Sequence, residues 1–121
     1  MSDKILITPY FGKLPNYFPF WINRLKVNTN LDFLIVTDQD LSEYDTHSNN
    51  IKIVKMTLIE LRGLIEDVVG EKVKLNTAYK INDYRALFGL VFAKYVGGYS
   101  YIGTLDTDVL LGITSHFLDS N

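Results

Sequence analysis

The stretch Ile5-Leu6-Ile7-Thr8, closed by Pro9, is apolar on both faces. Such a run suits a strand at the centre of a parallel sheet, covered above and below. Downstream, Phe18, Trp21, Ile22 and Leu25 recur at helical spacing, with Asn23, Arg24 and Lys26 on the opposite side. Pro15 and Pro19 stand at or before the first turn of that helix, where a missing N–H costs little. Residues 33–37 read as a second buried strand ending at Asp38, and residues 39–50 as a polar loop. Residues 51–56 alternate loosely and are interrupted by Lys52 and Lys55, which predicts a strand nearer a sheet edge.

Thr57-Leu58-Ile59-Glu60 has the spacing of a capping box. In that motif the threonine hydroxyl and the glutamate carboxylate each satisfy an orphan amide. The helix it starts is expected to run to residue 69, to bury Leu61, Leu64, Ile65 and Val68, and to stop at Gly70. Another helix is predicted over residues 84–96, ending on Gly97-Gly98. Residues 99–105 then read as a strand that runs into Asp106-Thr107-Asp108. The resulting order, β-α-β-β-α-α-β with polar or acidic residues at the strand ends, predicts a three-layer α/β fold. Any ligand is expected beyond the carboxyl ends of its strands. Residues 109–121 are too few to complete such a sheet, so the chain is expected to be the front half of a longer domain.

A chain of 121 residues is one domain's worth, and 47% apolar with 13% aromatic residues is enough to bury a core, which excludes disorder. A net charge of −2 lacks the basic surplus of a phosphate-tracking nucleic-acid binder. The absence of cysteine removes disulfide scaffolds, thiolate zinc sites and thiol nucleophiles together. No apolar run approaches the ~20 residues of a membrane span, and the N-terminus lacks the features of a signal peptide. The expectation is a single soluble, cytoplasmic α/β domain over residues 1–121, with no nucleic-acid partner and no membrane span.

Two Asp-x-Asp pairs occur, Asp38/Asp40 and Asp106/Asp108. In a chain with this many aspartates chance supplies about one such pair, so context must separate them. Asp38 and Asp40 open the polar loop, where aspartate is an ordinary turn residue. Asp106 and Asp108 follow a strand directly and precede the apolar run Val109-Leu110-Leu111. Two carboxylates held together there would repel, and a divalent cation resolves the conflict. Oxygen ligands select Mg²⁺ or Mn²⁺, which also bridge to phosphate oxygens. The plainer alternative is a strand-end turn with Asp106 as a helix cap.

Asp83 and Arg85 also carry two readings. In one, Asp83 is the N-cap of the 84–96 helix and Arg85 a surface residue of its first turn. In the other, Arg85 beside a helix N-terminus pairs with a phosphate or sugar oxygen. Tyr10, Phe11 and Gly12 follow the first strand, either as an aromatic that stacks on a nucleobase with a glycine for the turn, or as aromatics capping the sheet. His47 reads as a surface residue of the loop, and His116 stands at no recognised ligand spacing.

Taken together, these stretches over residues 1–118 resemble the N-terminal portion of a GT-A-type glycosyltransferase. The nearest likeness is to a bacterial branch related to capsular polysaccharide and mannosyl/galactosyl transferases. The residues that carry it are Ile5-Leu6-Ile7-Thr8-Pro9-Tyr10-Phe11-Gly12, Asp32-Phe33-Leu34-Ile35-Val36-Thr37-Asp38, Tyr79-Lys80-Ile81-Asn82-Asp83-Tyr84-Arg85, Gly97-Gly98-Tyr99 and Leu105-Asp106-Thr107-Asp108-Val109. The resemblance implies a nucleotide-diphospho-sugar donor, a glycan or other acceptor, and Mn²⁺ or Mg²⁺ bound through Asp106 and Asp108. It implies Asp108 as a metal ligand and Asp106 in contact with the ribose, the metal or both. Tyr10 and Asp38 would lie near the base and ribose, and Asp83 and Arg85 near the donor sugar or diphosphate. Relatives often place the basic residue three after the aspartate, whereas Arg85 stands two after Asp83. The family's acceptor-binding half lies beyond the motif, and no catalytic residue is assigned within the chain.

Two other readings compete. Leu105-Asp106-Thr107-Asp108-Val109-Leu110 also resembles the nucleophile motif of haloacid-dehalogenase-type phosphatases, which needs further lysine and acidic motifs downstream. The non-enzymatic alternative is a truncated α/β module whose open sheet edges pair with a second copy, making a homo-oligomer.

Overall fold

In the computed structural model, which describes residues 3–44, 46–75 and 78–106, the central strand β1 (Lys4–Tyr10) is flanked by β2 (Asp32–Thr37) and β4 (Tyr101–Thr104). The side chains of residues 78–80, 82 and 83 lie outside that description. Beyond β2 lies β3 (Ile51–Lys55), giving the order β3-β2-β1-β4, and every pairing is parallel. The doubly apolar run at residues 5–8 therefore does occupy the centre of a parallel sheet. All six residues of β2 are buried, while β3, with its two lysines, is the edge its composition predicts.

The strand pleat separates two cores. Ile5, Ile7, Leu34 and Val36 face α2 (Leu58–Val69), the 3-10 helix Ala78–Leu87, α3 (Phe88–Val91) and α4 (Ala93–Val96). Leu6, Phe33 and Ile35 face α1 (Phe18–Val27), whose Phe18, Trp21, Ile22 and Leu25 are all buried at the predicted spacing. Helices on both faces of a parallel sheet make a three-layer α/β arrangement. Both bonds of the capping box form on α2: Thr57 Oγ1 accepts from the Glu60 amide, and Glu60 Oε1 accepts from the Thr57 amide. Gly70 ends the helix at φ +85°, a conformation open to glycine.

Two expectations are corrected. The first strand does not stop before Pro9 but runs through it to Tyr10. The Ile7 carbonyl accepts from the Leu105 amide, so Pro9, two residues on, turns its missing N–H to that same side. The register with β4 has already ended at Ile7↔Thr104, so no ladder bond is lost. The second correction concerns residues 84–96, which form no single α-helix. A 3-10 helix begins six residues earlier, at Ala78, and gives way to α3 and α4 around Phe92. Ile81, Tyr84 and Leu87 all pack on the core at intervals of three, the repeat that a 3-10 helix aligns on one face. Asp83 falls inside this segment, so it is not the N-cap of a helix starting at Tyr84. The left-handed residue that follows α4 is Gly98, at φ +98°, while Gly97 is extended.

Two polar clusters fasten the amino ends of the strands. The Asn50 amide donates to the carbonyls of Leu25 and Asn28, at 2.9 and 3.2 Å, tying the end of α1 to the entry of β3. On the approach to β4, the Tyr99 hydroxyl donates to the buried Asp32 carboxylate and accepts from Lys52 Nζ at 3.1 Å. Burial, followed by the bond to Asp32, raises the Tyr99 pKa above its usual 10. A raised pKa means that the fold favours the protonated phenol. Its contribution is complete below pH 10 and is lost as the pH climbs through the elevated value. Tyr99→Phe, which keeps the ring, is expected to lower stability by about 1–2 kcal/mol at neutral pH. Urea titrations at pH 8 and pH 10.5 check it: the difference between the two proteins should narrow at the higher pH, and a constant difference would contradict the assignment.

Candidate functional site

From β1 the chain steps outward to β2 and β3, then returns to β4 on the other side of β1. The winding thus reverses between β1 and β4, and open parallel sheets bind ligands beyond the carboxyl ends at such a reversal. The residues at those ends are Tyr10 on β1, Asp38 after β2 and Asp106 after β4.

Asp38 and Asp106 are each positioned by specific tethers. The Gly12 amide donates to Asp38 Oδ1 at 3.0 Å, joining the loop after β1 to the end of β2. Gly12 sits at φ +98°, so a side chain there would strain the turn. Gln39 Nε2 donates to the same Asp38 oxygen at 2.9 Å, and the Gln39 amide donates to Thr37 Oγ1 at 3.1 Å. On the other side, the Leu105 amide donates to the Ile7 carbonyl at 3.0 Å, and the buried Thr8 hydroxyl donates to the Leu105 carbonyl at 2.7 Å. Leu105 is thereby clamped to β1 from both of its backbone groups, which sets the starting point of the next residue, Asp106. Asp106 Oδ1 accepts from Arg85 Nη2 at 2.5 Å, with the acid half-exposed and the guanidinium slightly less so.

The sequence candidates thus fall into two tethered groups: Asp38 with Gly12, and Arg85 with Asp106. Tyr10 is half-buried, whereas Phe11 is buried in the core as the sheet-capping reading expects. Asp40 is an exposed turn residue whose Oδ1 accepts from the Ser42 amide at 2.9 Å, and that bond holds its carboxyl below the usual range. His47 is exposed. Asp108 and His116 lie outside the described residues, as does the Asp83 side chain. Residue-by-residue reading missed Thr8 and Gln39, the polar groups that hold the two acidic ends in place. The one available signal was a threonine closing an otherwise aliphatic strand.

Chemically, the edge offers carboxylate oxygens, a guanidinium and an aromatic ring, a set suited to a ligand with anionic and planar parts. Among the described residues no three His, Asp or Glu side chains converge to hold a metal ion. Nor is any helix among them long and apolar enough to cross a membrane. No curated protein and no solved structure matches the chain. A family model does match, over residues 6–121, and the chain belongs to that family, DUF6625, described as a family of unknown function.

Proposed function

We propose that this chain is the donor-binding part of a glycosyltransferase with a GT-A-type, Rossmann-like fold, and that it takes a nucleotide-diphospho-sugar whose sugar passes to a glycan or other acceptor. The observation that carries the reading is the collection of Tyr10, Asp38 and Asp106, with Arg85 on Asp106, along the carboxyl edge where the strand order reverses. In this reading Tyr10 and Asp38 lie near the base and ribose, Asp83 and Arg85 near the donor sugar or diphosphate, and Asp106 contacts the ribose, the metal or both.

The reading calls for a hard divalent cation. Asp106 is a carboxylate at the mouth of the site, already compensated by one cation, and Mg²⁺ or Mn²⁺ needs only one or two carboxylates plus phosphate oxygens and water. Asp106 and Asp108 would hold the ion, which when bound supplies Lewis-acid stabilisation to the departing nucleotide diphosphate. Arg85 contributes charge-assisted hydrogen bonds to the same developing negative charge. The clamp on Leu105 holds the start of the acidic segment still, so this electrostatic help needs little reorganisation on binding.

A ligand that binds only the folded chain stabilises it by about 2.7 kcal/mol at a hundredfold excess over its dissociation constant. Melting curves with UDP-, GDP- and dTDP-sugars, with and without Mn²⁺, should show a Mn²⁺-dependent rise for one nucleotide class. Asp108→Asn should abolish the rise. Flat curves with every donor would sink the reading.

A further inference from the structure

We propose that the cavity at the amino ends of the strands, beside Asp32, binds a small ligand through a primary ammonium group. This site lies at the opposite end of the sheet from Tyr10, Asp38 and Asp106, and it stands independently of the donor-site reading. Asp32 opens β2, Ser48, Asn49 and Asn50 lead into β3, and Thr29 follows α1. These five residues line a cavity of about 580 Å³, room enough for a small organic molecule.

The hydrogen bonds around the cavity decide what it can recognise. Asp32 is buried, at 4% exposure, and its Oδ2 accepts from the Tyr99 hydroxyl. Its Oδ1 accepts no hydrogen bond from the described residues, and no ion pair among them reaches the carboxylate. Lys52 stops one group short, its Nζ 3.1 Å from the Tyr99 hydroxyl. The Asn50 amide commits its N–H groups to the Leu25 and Asn28 carbonyls. Its own Oδ1 accepts from the Ser48 hydroxyl, which leaves Ser48 Oγ with lone pairs alone to offer. The fixed groups of the cavity are therefore acceptors, and one of them carries a buried charge. A matching ligand donates hydrogens and is positively charged. A primary ammonium does both, with three donors around one compact charge. Asp32 Oδ1 and Ser48 Oγ take two of those donors, and the exposed Thr29 hydroxyl or Asn49 carbonyl takes the third. A neutral polyol matches the lone pairs but leaves the carboxylate charge unanswered.

The test is a titration of the isotope-labelled full chain with glucosamine and with putrescine, at slightly acidic pH and constant ionic strength, followed through the backbone amides by nuclear magnetic resonance. Either amine should shift the amides of Thr29, Asp32, Ser48, Asn49 and Asn50 saturably and leave those of Tyr10 and Asp106 in place. The tighter of the two tells whether a sugar or a polyamine carries the ammonium. Glucose lacks the charge and tetramethylammonium lacks the N–H donors, so neither should bind at that end. Asp32→Asn, which keeps an acceptor for Tyr99, should weaken amine binding about tenfold or more. Ser48→Ala, which leaves the bond between Asp32 and Tyr99 intact, should weaken it about two- to tenfold. Circular dichroism confirms that each variant is folded. Equal binding of glucose or of tetramethylammonium overturns the ammonium assignment, and the lack of a saturable shift with both amines overturns the site. An unchanged affinity in folded Asp32→Asn overturns it too, as does an unchanged affinity in Ser48→Ala where Asp32→Asn fails to fold.

Discussion

Asn50→Asp should destabilise the fold by about 3–5 kcal/mol, because two buried carbonyls lose their donor and face a carboxylate instead. In the parent, the Asn50 amide donates to the Leu25 carbonyl at 2.9 Å and the Asn28 carbonyl at 3.2 Å. Its own carbonyl accepts from the Phe33 amide at 2.7 Å, so one residue ties α1, β2 and the entry to β3 together. Asn50 is only 6% exposed, which leaves water little access to replace the lost bonds. Asn50→Ala removes the donor without adding repulsion and should cost less, about 2–3 kcal/mol. Urea unfolding followed by circular dichroism gives both values. Equal losses for the two variants would show that removal of the donor, rather than the inserted acceptor, sets the energy.

The second large effect belongs to Trp21. Its side chain is fully buried against Phe18, the ring centroids 5.6 Å apart, in the core between α1 and the sheet. Trp21→Ala should cost about 3–5 kcal/mol, the usual range for emptying an aromatic site. The indole carries a further handicap: its Nε1 is buried and has no hydrogen-bond partner among the described residues. The parent thus already bears the desolvation of an unmatched donor, and Trp21→Phe relieves it while keeping most of the ring. That variant should lose no more than about 1–2 kcal/mol, its deficit coming from lost volume alone. Since Trp21 is the only tryptophan, its fluorescence cannot follow either variant, and far-ultraviolet circular dichroism is the proper probe. A loss for Trp21→Phe close to that of Trp21→Ala would mean that the N–H is bonded after all.

The elements governed by short-range chemistry were legible before any coordinates. Thr57 and Glu60 announce the start of α2 because a cap is local, and Phe18, Trp21, Ile22 and Leu25 announce α1 because its buried stripe is continuous. Lys52 and Lys55 mark β3 as an edge because a charge needs water on at least one side. The 3-10 helix was hidden because its apolar spacing of three, at Ile81, Tyr84 and Leu87, runs without a break into the buried Phe88, Val91 and Phe92. The two patterns merge into one apparent helical stripe, and only packing separates them. Strand continuation through Pro9 was hidden because it depends on where β4 stops, a fact about a segment almost a hundred residues away. The site shows the same division. The acidic strand ends were visible as types at positions, whereas the pairing of Arg85 with Asp106 across 21 residues needed the fold to bring them together.

The position of β1 also governs how this chain is made. Among the described strands the first in chain order is central, and its partner β4 is the last. The contact that closes the sheet, from the Thr8 hydroxyl to the Leu105 carbonyl, spans 97 residues. At roughly 5–20 residues per second, β1 waits several seconds or more with one hydrogen-bonding side open. During that wait β1, β2 and β3 pair through shorter separations, and the nascent chain exposes the aliphatic edge of Ile5, Leu6 and Ile7 to any neighbour. Folding is therefore ordered from β3 toward β4, it is slowed by this long-range closure, and the risk of aggregation persists until β4 has emerged to cover that edge.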